Sequence, residues 1–414
     1  MTGPNRRPFV AAVTGLGVVS AAGIGADRTW HTVTHSDAPD SVGPLPELDG
    51  LTCDFMYTIA DLDTEGILGA AAARLMDRFT RLAVIAAREA MADAALDTSA
   101  WDSGRVAVVI GSAHGGLPFY DAQHEVLARK GARRVSPMVA PLSAVNGAAS
   151  NVCTDLGVHG PSMAVSATCC SGTMAIGTAY QLLRAGVCDI ALAGGAESVR
   201  SRLLIAGVCQ MRALSTRRDD PARACRPFDI DRDGFVMGEG AGLLVMERPE
   251  HAAARGARVR AGVAGYAASS DAYGMVAPHP DGIGIEYALR TAMAEADVTA
   301  ADVGHVNAHG TSTVLNDLIE GNAIHRVLGE HGLVTSTKSM TGHTLGASGG
   351  IETALTVLSL EHRLVPPTVN LETPDPRIPV EVVRKEARPV AANCAVKSSL
   401  GIGGHNAALV LIRE

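Results

Sequence analysis

The sequence predicts an α/β protein built around a sheet covered on both faces. Three observations carry that reading. Residues 106–110 (Val-Ala-Val-Val-Ile) and 190–193 (Ile-Ala-Leu-Ala) are apolar without alternation, the pattern of strands buried on both sides. Helical patterns separate such runs, at residues 70–95, 171–185, 284–296 and 349–360. The chain has 414 residues, 47% of them hydrophobic, with 45 Gly and 3% aromatics, which describes a compact interior of alanine and valine in one large or two fused domains.

The first strand spans residues 8–13 and ends in Thr14-Gly15-Leu16-Gly17. The third glycine position of a dinucleotide loop holds Ser20 and no acidic strand end follows, so a plain strand and turn is the better reading. Residues 36–69, rich in Asp and Pro, read as a long surface excursion. After the helix at 70–95, strand 106–110 ends at Gly111. Residues 162–165 lead into Val165-Ser166-Ala167-Thr168-Cys169-Cys170-Ser171-Gly172-Thr173 and a helix at 171–185. Strand 190–193 is closed by Gly194-Gly195-Ala196-Glu197, and polar residues 212–233 suggest a loop beside a site. Strand 242–247 and a short helix at 251–257 follow.

The same grammar then returns: strand 259–266, helix 284–296, strand 303–307 ending at His309, strand 333–337, a Gly-His turn and helix 349–360. The order around Cys169 is echoed around His343, an internal repeat of two halves. The last strand, 407–412, is entered through Gly401-Ile402-Gly403-Gly404. Four loops, each edged by glycine, are thus candidates for the rim of one site.

Composition removes several classes. A formal net charge of −8 without a long basic run argues against nucleic-acid binding. Eight scattered cysteines contain no C-x-x-C pair, so neither a zinc site nor a secreted disulfide framework fits, and no metal is expected. Residues 1–8 are polar and basic with no signal-type apolar segment after them, and no apolar run reaches the ~18 residues of a membrane span. The expectation is a soluble cytoplasmic protein with neither nucleic acid nor membrane as partner. There is no Gly-x-Ser-x-Gly elbow, P-loop or His-Glu-x-x-His.

Cys169 stands where a strand turns into a helix, between small residues. Free cysteine, pKa about 8.5, is mostly protonated at neutral pH, and backbone N–H groups with a helix N-terminus favour its anion. A buried structural cysteine is the alternative; the loop, the following Ser171-Gly172 and the helix start favour a nucleophile. Cys170 reads as a small hydrophobe facing the interior. His309, in Asn307-Ala308-His309-Gly310-Thr311-Ser312-Thr313, ends an apolar strand, and a donor role and a satisfied core histidine both stand. Ser336-Thr337-Lys338-Ser339-Met340-Thr341-Gly342-His343 places one of only four lysines among hydroxyl residues at a strand end. His343, at a helix start, favours a neutral imidazole able to donate to a developing oxyanion. A thiol, two histidines and a lysine leave nucleophilic thiol catalysis with oxyanion stabilisation.

These stretches together resemble the β-ketoacyl synthases, the condensing enzymes of fatty acid and polyketide synthesis. The resemblance runs from Val13-Thr14-Gly15-Leu16-Gly17 to Gly403-Gly404-His405-Asn406. Arg226-Pro227-Phe228-Asp229, Arg232-Asp233-Gly234-Phe235 and the segment 338–346 are similar to the elongating type. It implies a thiolase-like fold of duplicated halves in a five-layer αβαβα sandwich, here residues 1–257 with the cysteine and 258–414 with the histidines and lysine.

The resemblance further implies a two-step reaction. Cys169 would accept an acyl chain from the phosphopantetheine arm of an acyl carrier protein, with no cofactor bound by the enzyme. Malonyl carrier protein would then lose CO2 and its carbanion attack the thioester. His309 and His343 would stabilise the enolate, Lys338 would hold His309 with Glu320 nearby, and the amides of Cys169 and Leu400 would form the oxyanion hole. The family's usual Phe-Gly-Phe-Gly-Gly gate reads Leu400-Gly401-Ile402-Gly403-Gly404, and Val208 stands where phenylalanine is common. With Cys170 these replacements imply a wider acyl pocket, which tilts the expectation toward specialised polyketide assembly over a housekeeping fatty acid synthase. An acidic carrier protein would dock on Arg74 and Arg212, with Arg133 and Arg134 as weaker candidates. A homodimer, or a heterodimer with a ketosynthase-like chain length factor, is expected. A relative that loads without condensing ranks below these readings, and Cys169 argues against a non-catalytic partner subunit.

Overall fold

The computed structural model describes residues 8–35, 41–59 and 62–413. The polar N-terminal stretch read above lies, through residue 7, outside the described residues, as do residues 36–40 and 60–61; the rest of segment 36–69 is no mere surface excursion, because Leu48, Phe55, Met56 and Tyr57 are buried in the core. Among the described residues the main sheet has eleven strands, ten of them in one continuous order: β1 (Ala11–Ser20), β2 (Val106–Gly111), β3 (Ser162–Val165), β4 (Ile190–Glu197), β5 (Gly240–Glu247), β6 (Ala261–Ser270), β7 (Val303–Asn307), β8 (Leu333–Thr335), β9 (Cys394–Gly401) and β10 (His405–Ile412). Their spatial order is β8-β7-β9-β10-β6-β1-β5-β4-β2-β3, with the short strand Gly23–Ile24 beside β1.

That order is a repeat. Each half reads third, second, fourth, fifth, first strand, with parallel pairs at its outer side and two antiparallel pairs toward the centre. The halves join where β1 pairs antiparallel with β6, from Ala11 opposite Val263 to Val13 opposite Ala261.

Six helices complete the layers: α1 (Arg78–Asp93), α2 (Gly147–Leu156), α3 (Ser171–Arg184), α4 (Ile283–Glu295), α5 (Val314–Leu328) and α6 (Ser348–His362). Helices α1 and α2 close one outer face over β1, β2, β4 and β5, and α4 and α5 the other over β6, β7, β9 and β10. Helices α3 and α6 lie between the two halves in a shared core. The result is the five-layer αβαβα sandwich. Helix α6 is buried along its whole length to Leu360, as a helix with sheet on both sides must be.

The first strand is longer than the sequence suggests. Gly15 and Gly17 do not turn the chain; β1 runs on to Ser20. A Cβ on Gly17 would stand 1.9 Å from the Ala86 carbonyl oxygen, so the glycine lets α1 lie against the strand. The carboxylates of Asp93 and Glu89 on α1 accept the Leu16 and Val18 N–H groups, both at 2.8 Å. Among the described residues no helix is long and apolar enough to cross a membrane.

Candidate active site

The thiol sits in a 3-10 turn, Thr168–Cys170, between β3 and α3. Thr168 is held at φ 49°, costly for a β-branched residue. Ser171 Oγ locks the turn by accepting the Ala167 N–H at 2.9 Å and donating to the Thr168 carbonyl at 2.6 Å. A Cβ on Gly172 would lie 2.8 Å from the Gly346 carbonyl oxygen, so the beginnings of α3 and α6 touch. Two further non-glycine residues with left-handed backbone, Ser312 and Leu345, stand in the loops of His309 and His343. Strain gathers where the loops meet.

His309 follows β7. The Glu320 carboxylate, on α5, accepts the His309 N–H at 2.7 Å, the Gly310 N–H at 2.8 Å and the Ser398 hydroxyl at 2.7 Å. Lys338 Nζ donates to the His309 carbonyl at 2.6 Å and to its Nδ1 at 3.3 Å. The carboxylate paired with Lys338 is Glu352 on α6. Glu320 therefore supports His309 through backbone, and Lys338 takes another partner than the sequence reading gave it. Glu352 was missed because it lies inside a helix whose pattern reads as plain core.

His343 Nε2 lies 3.1 Å from Cys169 Sγ. Its Nδ1 accepts the Leu345 N–H at 3.3 Å and lies 3.1 Å from Ser348 Oγ. An atom that accepts an N–H carries no proton, so the ring proton of His343 is on Nε2; the contact from Lys338 assigns the same tautomer to His309. The two rings meet edge to face, centroids 5.2 Å apart, and Phe235 stands edge-on to His343 at 5.1 Å. Burial, then the positive charge of Lys338, holds both imidazoles well below the ordinary histidine pKa. Both are neutral Nε2–H donors at neutral pH.

The thiol departs from expectation. Burial pushes Cys169 up to about 11, outweighing the lowering effect of Lys338 and of the backbone N–H groups of Ile402 and Cys169 itself. The second amide at the sulfur is thus Ile402's and not that of Leu400, because Leu400 is still paired inside β9 while Ile402 begins the turn beyond it.

A cleft of about 290 Å³ opens over these groups, lined by Cys169, His309 and His343 with Phe235, Leu400 and Ile402, and with Arg212 at its mouth. All four glycine-edged loops contribute to it, as does the polar 212–233 segment. Cys170 points away, its Sγ donating to the His405 carbonyl among Ala167 and Ala407, so it is interior and not cleft wall. Val208, on helix Arg202–Gln210, packs with Cys169, Ile205 and Leu345 behind the thiol and does not line the cleft. Arg74, Arg133 and Arg134 are exposed but do not border it. The sulfur and two imidazoles offer ligand atoms within 4.8 Å of one another. With each Nδ1 already accepting a hydrogen bond, however, each Nε2 carries the ring proton and offers a metal no lone pair without a change of tautomer.

Residues 10–252 match the family described as "Beta-ketoacyl synthase, N-terminal domain", and residues 260–372 its C-terminal domain. The chain is 42% identical over 402 residues to "3-oxoacyl-[acyl-carrier-protein] synthase 2" of Staphylococcus aureus (strain COL), covering 96% of this chain and 97% of that one. A β-ketoacyl synthase structure from Burkholderia phymatum STM815 is similar at TM-score 0.92 and 33% identity, covering 98% of this chain and 100% of that one. So is a structure described as a type II PKS acyl-carrier protein in complex with its ketosynthase bound to the hexaketide, at TM-score 0.89 and 31% identity, covering 99% and 100%. The chain belongs to the β-ketoacyl synthase family. It is a β-ketoacyl-[acyl carrier protein] synthase, an acyltransferase that forms a carbon–carbon bond.

Proposed function

We propose that this synthase elongates acyl chains of fatty acid assembly, in two half-reactions at Cys169. First, Sγ attacks the thioester of an acyl chain on the phosphopantetheine arm of an acyl carrier protein. The Sγ–C bond forms, the carrier's C–S bond breaks, and the Cys169 thiol proton ends on the departing thiol. The Cys169 and Ile402 amides donate to the carbonyl oxygen. Next, malonyl carrier protein loses CO2, and the electron pair of the broken C–C bond becomes an enolate held by the Nε2–H groups of His309 and His343. The enolate carbon attacks the acyl–Cys169 carbonyl, and the thiolate leaves and takes a proton from solvent. Decarboxylation needs donors and no base, and the observation that carries this reading is two neutral imidazoles presenting Nε2–H beside one sulfur.

The fatty acid reading rests on the 42% identity to a 3-oxoacyl-[acyl-carrier-protein] synthase 2, against 31% to the polyketide ketosynthase. One observation favours specialised polyketide assembly: aliphatic Leu400 and Ile402 in the cleft wall. Purified enzyme given acyl and malonyl carrier proteins, with carrier-bound products read by mass spectrometry, tests the choice. A single added unit per turnover is expected; accumulation of poly-β-keto chains overturns it. Eight free thiols fit a reducing cytoplasm. Whether the active species is a homodimer or a pair with a chain length factor is read by size exclusion, alone and mixed.

A further inference from the structure

The proposed mechanism makes no use of Lys397, a fully buried lysine on β9. Its Nζ lies 2.8 Å from Glu352 Oε2, while Oε1 of the same carboxylate holds Lys338. Two buried lysines thus share one carboxylate between α6 and the two strand-end loops. The contact with Oε2 is an ion pair, and the same Nζ also donates to the Ser398 carbonyl and, at 3.0 Å, to Ser399 Oγ. Ser399 Oγ is 2.7 Å from Thr173 Oγ1, in the first turn of α3, the helix that follows the thiol's turn. One chain of contacts therefore runs from His309 through Lys338, Glu352 and Lys397 to α3.

We propose that Lys397 is a positioning residue of the condensing step: by occupying Glu352 Oε2 it keeps Lys338 on His309 Nδ1. The Lys338–His309 contact, at 3.3 Å, is longer than the 2.6 Å bond from the same Nζ to the His309 carbonyl, and so is the one most readily surrendered. Without a cation on Oε2 the carboxylate is left with one bare buried oxygen, and Lys338 is drawn toward it. His309 then loses the donor that keeps its proton on Nε2, where the enolate oxygen needs it. The donors proposed for loading, the Cys169 and Ile402 amides, do not depend on this chain. Written with ionised side chains, the triad carries one net positive charge.

This inference rests on the two-step reading above, and the test separates the two. Acyl transfer to Cys169 is followed by intact-protein mass spectrometry. CO2 release from carboxyl-labelled malonyl carrier protein is then measured on the isolated acyl-enzyme. In wild type both steps proceed; absence of either overturns the two-step reading itself. Lys397→Gln, which keeps donors for Ser398 and Ser399 but deletes the charge, is expected to load within a few-fold of wild type and to release CO2 more slowly by on the order of 10²-fold. The double variant Lys397→Gln/Glu352→Gln restores the net charge of the triad and is expected to recover part of that loss. Equal losses in both steps, or a double variant worse than the sum of its parts, overturns the proposal. If Lys397→Gln fails to fold, Lys397→Met is assayed in the same way against the same two outcomes.

Discussion

His343 Nε2 lies 3.1 Å from Cys169 Sγ, and the Leu345 N–H behind the ring fixes the proton on the side facing the sulfur. Two helices begin beside this contact: α3 two residues after Cys169, and α6 at Ser348, whose Oγ lies 3.1 Å from His343 Nδ1. A donor held this way acts on an oxyanion without reorganising. His343→Ala is expected to lower the rate of CO2 release from malonyl carrier protein by about 10²–10³-fold, the usual cost of one oxyanion donor. Single-turnover CO2 release measures it; a change under threefold contradicts the role.

The same neutrality predicts a pH profile. Burial and Lys338 hold His309 and His343 well below the ordinary histidine value of 6.5. A histidine with a lowered pKa remains a neutral donor as the pH falls through 6.5 and gains a proton only below it. CO2 release from the acyl-enzyme is therefore expected to stay level between about pH 6 and 8. A limb centred near 6.5 contradicts it.

Cys169 titrates the other way. Its thiol is pushed up to about 11 by burial, so the thiolate fraction grows throughout the neutral and mildly alkaline range. Alkylation of Cys169 by iodoacetamide, followed by peptide mapping, is expected to quicken about tenfold per pH unit from pH 7 to 10. A plateau already reached by pH 8 would show that the two helix N-termini overcome the desolvation of the sulfur.

Much of this was legible in the sequence, and the supporting residues escaped it for a physical reason. The apolar strands β2, β4 and β7 and the central helices announced themselves by period and by lack of alternation. Helix α5 and strand β9 did not, because their buried faces are polar: Asn316, Asp317 and Glu320 on the one, Lys397, Ser398 and Ser399 on the other. Glu320 accepts the His309 N–H, Asn316 and Ser398 donate to Glu320, and Asp317 accepts the Phe228 and Ser312 N–H groups; a pattern that looks for apolar stripes reads past such residues. The residues at the sulfur were found by type and loop position. The carboxylate and second lysine behind them could have been noticed from a chain so poor in lysine, since Lys397 sits among strand residues. Leu400, implied by the family resemblance as the second amide, lies two residues before Ile402, whose amide reaches the sulfur.

Arg212 is the one predicted docking residue that the fold brings to the cleft mouth. A charge at a rim alters encounter more than chemistry. Arg212→Glu is expected to raise KM for acyl carrier protein substrates several-fold at low salt, to flatten the salt dependence, and to leave turnover of a small acyl thioester unchanged. Steady-state assays at two ionic strengths decide; an unaltered KM removes Arg212 from the docking surface.

Leu400 and Ile402 line the cleft with aliphatic side chains, and Ile402 also brings its amide to the sulfur. Backbone and side chain act separately here: Ile402→Phe keeps the amide donor while adding ring volume beside the nucleophile. Acyl transfer is therefore expected to survive for short chains and to fall for long or rigid ones, by about 10–200-fold for each increment that no longer fits. Leu400→Phe, still within β9, adds volume to the same wall without touching an amide at the sulfur, and should shift chain preference in the same direction with the short-chain rate unchanged. A series of acyl carrier proteins of graded chain length, assayed by mass spectrometry of the acyl-enzyme, gives both answers. If neither variant changes the preference, the acyl chain does not pass these two side chains, and the packed cluster around Val208 becomes the wall to vary.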